Sequence, residues 1–221
     1  FPAGRKKTVL FNLTNVFRPN TPRKVRIRTN LEIYWDAIHW AQGVPNAPEK
    51  MTTLNPTVAD LHHRGYSVMH LPREGEPRAP EIPNYDQLEG TQQRWRDLIG
   101  YYTRYGDVRE LLQRTDDRYV IVDSGDEVSL RFAEQTPPPK GWVRDFVIVG
   151  DGWIKDGDYN STFSKTVLPL PYHAKNEYTT RPGKLEDEWV YRHHPDDWKN
   201  YHTRYVTPEV FKNEWRSDLP Q

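Results

Sequence analysis

The chain has no cysteine among its 221 residues. That absence removes disulfides, thiolate nucleophiles and Cys-ligated zinc or iron–sulfur centres together. It leaves the compartment open, because a cysteine-free chain suits the periplasm as well as the cytosol. Charge of one sign is also missing: Lys and Arg number 31, Asp and Glu number 31, and the net charge is zero. Generic nucleic-acid binding, which needs a basic excess, is therefore not expected. No apolar run approaches the ~20 residues that span a bilayer, and no secretory leader pattern is visible. Also absent are a G-x-S-x-G elbow, a Walker loop, a G-x-G-x-x-G turn and an H-E-x-x-H helix. Nucleophilic catalysis, nucleotide cofactors and zincin chemistry thus have no motif here.

Apolar residues make up only 35% of the chain, whereas aromatics reach 13% and proline numbers 19. Such a composition predicts a small core for the length, with much of the chain extended or looped. Because it begins at Phe1 rather than Met, the chain is expected to be a processed or truncated product.

Phe1 to Thr29 is basic, and the first acidic residue is Glu32. Thr8–Asn12 reads as a strand. Lys24 to Arg28 alternates as a half-buried strand would, with Lys24, Arg26 and Arg28 on one face. Val58–His70 reads as two short strands around Arg64-Gly65, and the proline-rich Leu71–Gln93 as loop. Trp95–Tyr105 reads as extended. Asp107 with Glu110 has capping-box spacing and predicts a short helix to about Arg114. Tyr119–Val122 and Val128–Phe132 flank a Ser-Gly turn and predict a hairpin. Phe146–Val149, inside Trp142–Gly150, is the strongest strand signal in the chain.

Composition shifts after Pro171. From Tyr172 to Gln221 only Leu185, Val190, Val206, Val210 and Leu219 are aliphatic, against nine aromatics and four histidines. Such a segment cannot build its own core. The expected architecture is all-β: an antiparallel β-sandwich of jelly-roll or Ig-like type over residues 1–171, with one or two short helices. A barrel is the alternative. Residues 172–221 are expected as a long extended arm, with a helix starting at Thr207-Pro208. Its Trp189, Tyr191, Trp198, Tyr201, Tyr205, Phe211 and Trp215 are candidates to contact a partner, since Trp and Tyr combine area with a polar tip. Lys24, Arg26 and Arg28 are candidates to meet an anionic protein or lipid surface.

Asp156, Asp158 and Asn160 stand at alternate positions, which can direct oxygens at calcium. The EF-hand pattern fails, with Ser161 at position six and Val167 at position twelve, and Asp and Asn also build turns. Asp151 and Asp156 are a candidate acid/base pair on a glycosidic bond. The adjacent pairs His62-His63 and His193-His194 are not natural bidentate ligands, because neighbours on a strand point to opposite faces. Surface or interface positions are the expectation for the histidines.

Four strings resemble a known family region: RIRTNLEIYWD (Arg26 to Asp36), YTRYGDVRELL (Tyr102–Leu112), DDRYVIVDSGDEVSLRF (Asp116–Phe132) and GWVRDFVIVGDGWIKDGDYNSTFSKTVLPLP (Gly141 to Pro171). The region is the C-terminal part of bacterial secreted proteins with FG-GAP and ASPIC/UnbV-type (cartilage-acidic-protein-like) repeats. The resemblance covers most of Arg26 to Pro171, without the FG-GAP calcium loops. It implies a periplasmic or secreted location and a noncatalytic interaction role, and supplies no catalytic residues.

The expected function is a noncatalytic, extracytoplasmic interaction module, an accessory subunit on the periplasmic face of a larger membrane complex such as a respiratory or photosynthetic assembly. Two alternatives stand beside it. One is a carbohydrate-binding module with Trp153 in its platform. The other is a metal-dependent or glycosidase-like enzyme. No cofactor is expected apart from calcium.

Overall fold

The structure is a computed structural model, and it describes residues 9–27, 35, 37–43, 48–70, 82–89, 98–155, 165–176 and 181–207. The chain divides into two compact units. One holds Thr52–Val68 and Tyr85–Gln221, the other Pro2–Met51 and Met69–Asn84.

The described residues are mainly β, in small sheets with a few short helices. In the larger unit, β1 (Val58–His63) runs antiparallel to β6 (Asp126–Arg131), with Val58 opposite Arg131 and His63 opposite Asp126. The two-residue β5 (Gly106–Asp107) lies on the other edge of β1. β1 alternates as a half-buried strand must, and sends Ala59 and Leu61 inward. The turn after β1 is held by Arg64 N–H and Gly65 N–H, both donating to Gly125 O at 2.8 and 3.0 Å. Gly125 has φ +86°, and a Cβ there would stand 2.7 Å from the His63 ring, so both conformation and space demand glycine.

β2 (Tyr66–His70) and β3 (Ile82–Glu89) form a two-stranded sheet. Part of the expected loop is therefore a strand. Pro83 sits where a two-stranded sheet has only edges, the one sheet position that tolerates a missing N–H. β4 (Gly100–Tyr102) pairs antiparallel with β7 (Arg204–Val206), and Ile99 makes an isolated parallel bridge to Thr166.

Two small cores result. Ala59, Leu61 and Val108 form one, with Val120 and Val128 packed on it. The other joins Tyr102, Val167, Leu170, Val190 and Val206. The segment at 119–121 serves both: Tyr119 and Ile121 pack on the second, Val120 on the first. It carries no strand pairing, yet Thr103 N–H donates to Ile121 O at 3.0 Å. The expected hairpin is thus half realised, because β6 pairs with β1 instead.

Two other expectations change. The helix after Asp107 is one 3₁₀ turn, Arg109–Leu112, and Glu110 turns outward to Arg118 rather than back to the cap. The described part of 172–221 is not an extended arm. It holds a 3₁₀ turn at Leu185–Asp187, α1 (Trp189–His193), α2 (Pro195–Asn200) and β7. Too few aliphatics for a separate core still suffice to finish one: Val190 and Val206 close the core that β4 and residues 167–170 begin.

In the smaller unit, residues 9–27 form turns rather than strands, with Val16 N–H donating to Leu13 O and Thr21 Oγ1 to Arg18 O. Thr8 and Arg28 lie outside the described residues; Val9–Asn12 and Lys24–Ile27 show no strand.

Candidate functional site

The strongest sequence-level strand forms no strand. Phe146, Val147, Ile148 and Val149 are 74%, 82%, 88% and 83% exposed, and Val143 is 84% exposed. Among the described residues, no backbone–backbone hydrogen bond is made by residues 143–154. β-branched chemistry alone does not make a strand; pairing with a neighbour does, and among the described residues this run pairs with no strand.

The segment is nevertheless fixed at both ends. At its start Trp142 N–H donates to Pro139 O at 3.0 Å, and the Arg144 guanidinium donates to the carbonyls of Gln135 and Thr136. At its end Asp151 Oδ2 lies 2.8 Å from His173 Nε2, while His173 Nδ1 lies 2.7 Å from Asp117 Oδ1. Trp153 packs edge-to-face on His173 and Tyr119, at 4.9 and 5.6 Å between centroids. Lys155 Nζ donates to the Leu168 carbonyl. Partial burial of that ammonium pulls its pKa down to about 8; Glu188 opposes the shift and Lys175 adds to it.

His173 can donate from both ring nitrogens only as the imidazolium. Its pKa is accordingly raised, first by the hydrogen bond to Asp117 and then by that to Asp151. Asp117 is lowered: burial opposes this, but the backbone and ring N–H groups of His173 outweigh it. Three loops distant in sequence thus meet at one exposed imidazole.

Beneath this surface lies a polar frame. Arg118 grips Asp197 with two bonds, Nε to Oδ2 at 3.0 Å and Nη2 to Oδ1 at 2.6 Å, and reaches Glu110 with Nη1 at 3.0 Å. Tyr201 O–H donates to the other oxygen of Glu110. Thr103 Oγ1 accepts Ile121 N–H at 2.8 Å and lies 3.0 Å from Nδ1 of His202, which is 1% exposed. Desolvation pulls His202 down to about 4, so it is a neutral core residue at ordinary pH. On the other side of Thr103, Arg204 donates to Thr103 O at 3.1 Å and to Asp126, and lies 4.4 Å over the Tyr105 ring. Burial and the Asp126 carboxylate push the Tyr105 phenol up. For Asp126, burial works the other way but is outweighed by bonds from His63 and the Asp123 N–H and by the charge of Arg204, so its pKa falls.

The residues singled out in the sequence are spread over this frame. Trp189 stacks between Tyr172 and His193, at 4.8 and 3.9 Å, so both faces are covered. Tyr191 and Trp198 pack edge-to-face at 5.4 Å. Tyr201 is half-buried against Glu110, and Tyr205 is half-exposed against Tyr101. Phe211 and Trp215 lie outside the described residues, as do Arg28, Asp156, Asp158 and Asn160. Lys24 and Arg26 are exposed. Among the described residues no group of three or more His, Asp or Glu side chains is arranged for a metal. Asp151, expected beside a second carboxylate for acid/base work, is bound to His173. His202, expected at the surface, is buried. Asp117, Arg118, Asp197 and Arg204 carry no signal in the sequence, because lone charged residues in unrelated segments give no pattern. Their best signal was indirect, since buried charge must be paired.

Comparison with known proteins finds no family, no curated protein and no solved structure that matches the chain.

Proposed function

We propose that this chain is a noncatalytic protein-interaction module, an extracytoplasmic accessory subunit that docks on a larger membrane-associated assembly of the respiratory or photosynthetic kind. The observation that carries the reading is the run from Trp142 to Lys155. It is fixed at both ends and bare in the middle, where four consecutive apolar side chains face solvent. Contiguous exposed apolar surface on a folded protein marks a contact site. The extracytoplasmic setting rests on the resemblance of the four strings to secreted FG-GAP and ASPIC/UnbV proteins. For the domain itself we propose a small β-sandwich, supported by the way residues 119–121 alternate between two cores.

The carbohydrate reading has less support, because Trp153 and Trp189 spend their ring faces or edges on neighbouring aromatics. The acid/base reading has less support, because Asp151 is paired with His173.

The test is assembly in the native host. The tagged chain is expected to migrate with a high-mass membrane fraction, and the Val147→Asp/Ile148→Asp variant to be released from it while still folded. Migration of the wild type as a free monomer would refute the reading.

A further inference from the structure

A cleft of about 470 Å³ opens beside β4 and β7, within the larger unit. Its walls are aliphatic at Val167, Leu168 and Leu185 and aromatic at Tyr101, Tyr205 and Trp198. The two tyrosines meet edge-to-face at 4.9 Å, which fixes one wall. Arg181 is the single charged residue among those that line it.

One charged donor at this cleft is unused, and a second, buried donor belongs to a residue of its wall. Arg181 is exposed, and among the described residues no acceptor engages its guanidinium. Trp198 Nε1 is buried, and among the described residues it has no hydrogen-bond partner. By contrast, Arg104, Arg109, Arg118 and Arg204 are committed to carboxylates or carbonyls. A buried donor left unpaired is unusual enough to need a reason.

The volume lies in the range of small-ligand sites, about 300–1,000 Å³, which pair apolar walls with a few polar groups that fix orientation. A guanidinium at the rim of such walls suits one chemistry above others. A carboxylate matches its fork with two parallel hydrogen bonds. An apolar body attached to that carboxylate fills the wall side and removes apolar surface from water. Nucleotides and polyanions would need more cations than one, and a bare sugar would leave its hydroxyls facing leucine and valine.

We propose that this cleft binds a small monocarboxylate with an apolar body, an alkanoic or arylalkanoic acid, with Arg181 taking the carboxylate. The site goes beyond the docking role and does not depend on it, since none of residues 142–149 lines it.

The experiment titrates octanoate and 3-phenylpropionate into the full chain, by calorimetry and by the indole N–H resonance of Trp198, assigned with Trp198→Phe. Expected are saturable binding with Kd below about 1 mM and movement of that resonance. Octanol and octylamine should bind about tenfold more weakly or not at all, as should octanoate to Arg181→Gln. Arg181→Lys, a point charge without the fork, should fall between. The inference is overturned if neither acid saturates by about 10 mM, if Arg181→Gln binds as well as the parent, if octanol matches octanoate, or if the Trp198 resonance does not move.

Discussion

Arg118 and Asp197, 79 positions apart, are joined by two hydrogen bonds at 2.6 and 3.0 Å, with the Asp197 side chain only 4% exposed. This pair fastens α2 to the loop that follows the 3₁₀ turn, and so ties the C-terminal helices to the β-rich part of the same unit. Breaking a buried pair from one side strands a desolvated charge, at a cost of about 3–5 kcal/mol. Arg118→Leu is therefore expected to lose stability in that range, read from the urea midpoint. Replacing both partners with leucine should cost less than Arg118→Leu alone. Additive losses across the double-mutant cycle would show that the pair is not coupled.

Below neutral pH the buried His202 should dominate the loss of stability. Its folded pKa is about 4, against an ordinary value of 6.5, because burial disfavours the charged ring. The unfolded chain thus takes up a proton that the folded chain refuses. Stability is full above about pH 6.5 and falls as pH drops toward 4, by up to about 3 kcal/mol in total. Asp126, lowered in the fold, adds a second loss at lower pH, which sets in below the ordinary carboxylate value of the unfolded chain and runs on through the lower folded one. Urea midpoints measured every half unit from pH 7.5 to 4 should show the first slope. In His202→Gln that slope should shrink. An unchanged slope would place the acid sensitivity elsewhere.

What was legible in the sequence divides along a physical line. β1 and β2 flank Arg64-Gly65 as read, because alternation and a turn residue are local signals. At Asp107 the capping-box spacing marks only a 3₁₀ turn at Arg109–Leu112, though Asp107 Oδ1 does accept the Arg109 N–H. Phe146–Val149 failed as a strand because propensity says nothing about whether a ladder partner exists. The C-terminal arm was misread for a similar reason. Counting aliphatics predicts that 172–221 cannot build its own core, but gives no sign that Tyr102, Val167 and Leu170 share one with Val190 and Val206. His202 and Asp197 were illegible, because burial of a lone polar residue is a property of the packing around it.

The Asp117–His173–Asp151 contact responds to pH in the opposite sense from His202. His173 is raised by its two carboxylates, so its contribution is fully present below the unfolded value near 6.5 and is lost as pH rises through the higher folded value. Loss of the second ring proton leaves one carboxylate without a donor. The expected observation is a His173 ring titration, followed by NMR, with a midpoint above that of a histidine-containing peptide. Asp117→Asn should lower it, and Asp151→Asn should lower it less. Amide exchange at residues 151–153 should quicken over the same pH interval. A His173 midpoint at or below the peptide value would remove this tether.

Opposite outcomes are expected for two apolar substitutions of similar chemistry. Leu61 is wholly buried between β6 and the 3₁₀ turn, so Leu61→Ala removes packed methyl groups and leaves a cavity, at about 2–5 kcal/mol. Ile148 is larger in nominal hydrophobicity yet 88% exposed, so Ile148→Asp exchanges a solvated side chain for another and should stay within about 0.5 kcal/mol. In thermal melts of the isolated chain, Leu61→Ala should lower Tm clearly while Ile148→Asp leaves it in place and improves solubility, because a charge interrupts an exposed apolar, β-prone run. The two variants together separate folding from docking: the first weakens the scaffold and retains the surface, the second retains the scaffold and removes the surface. A large drop in Tm for Ile148→Asp would mean that residues 146–149 are buried within the chain, and with that result the display of this run to a partner would have to be given up.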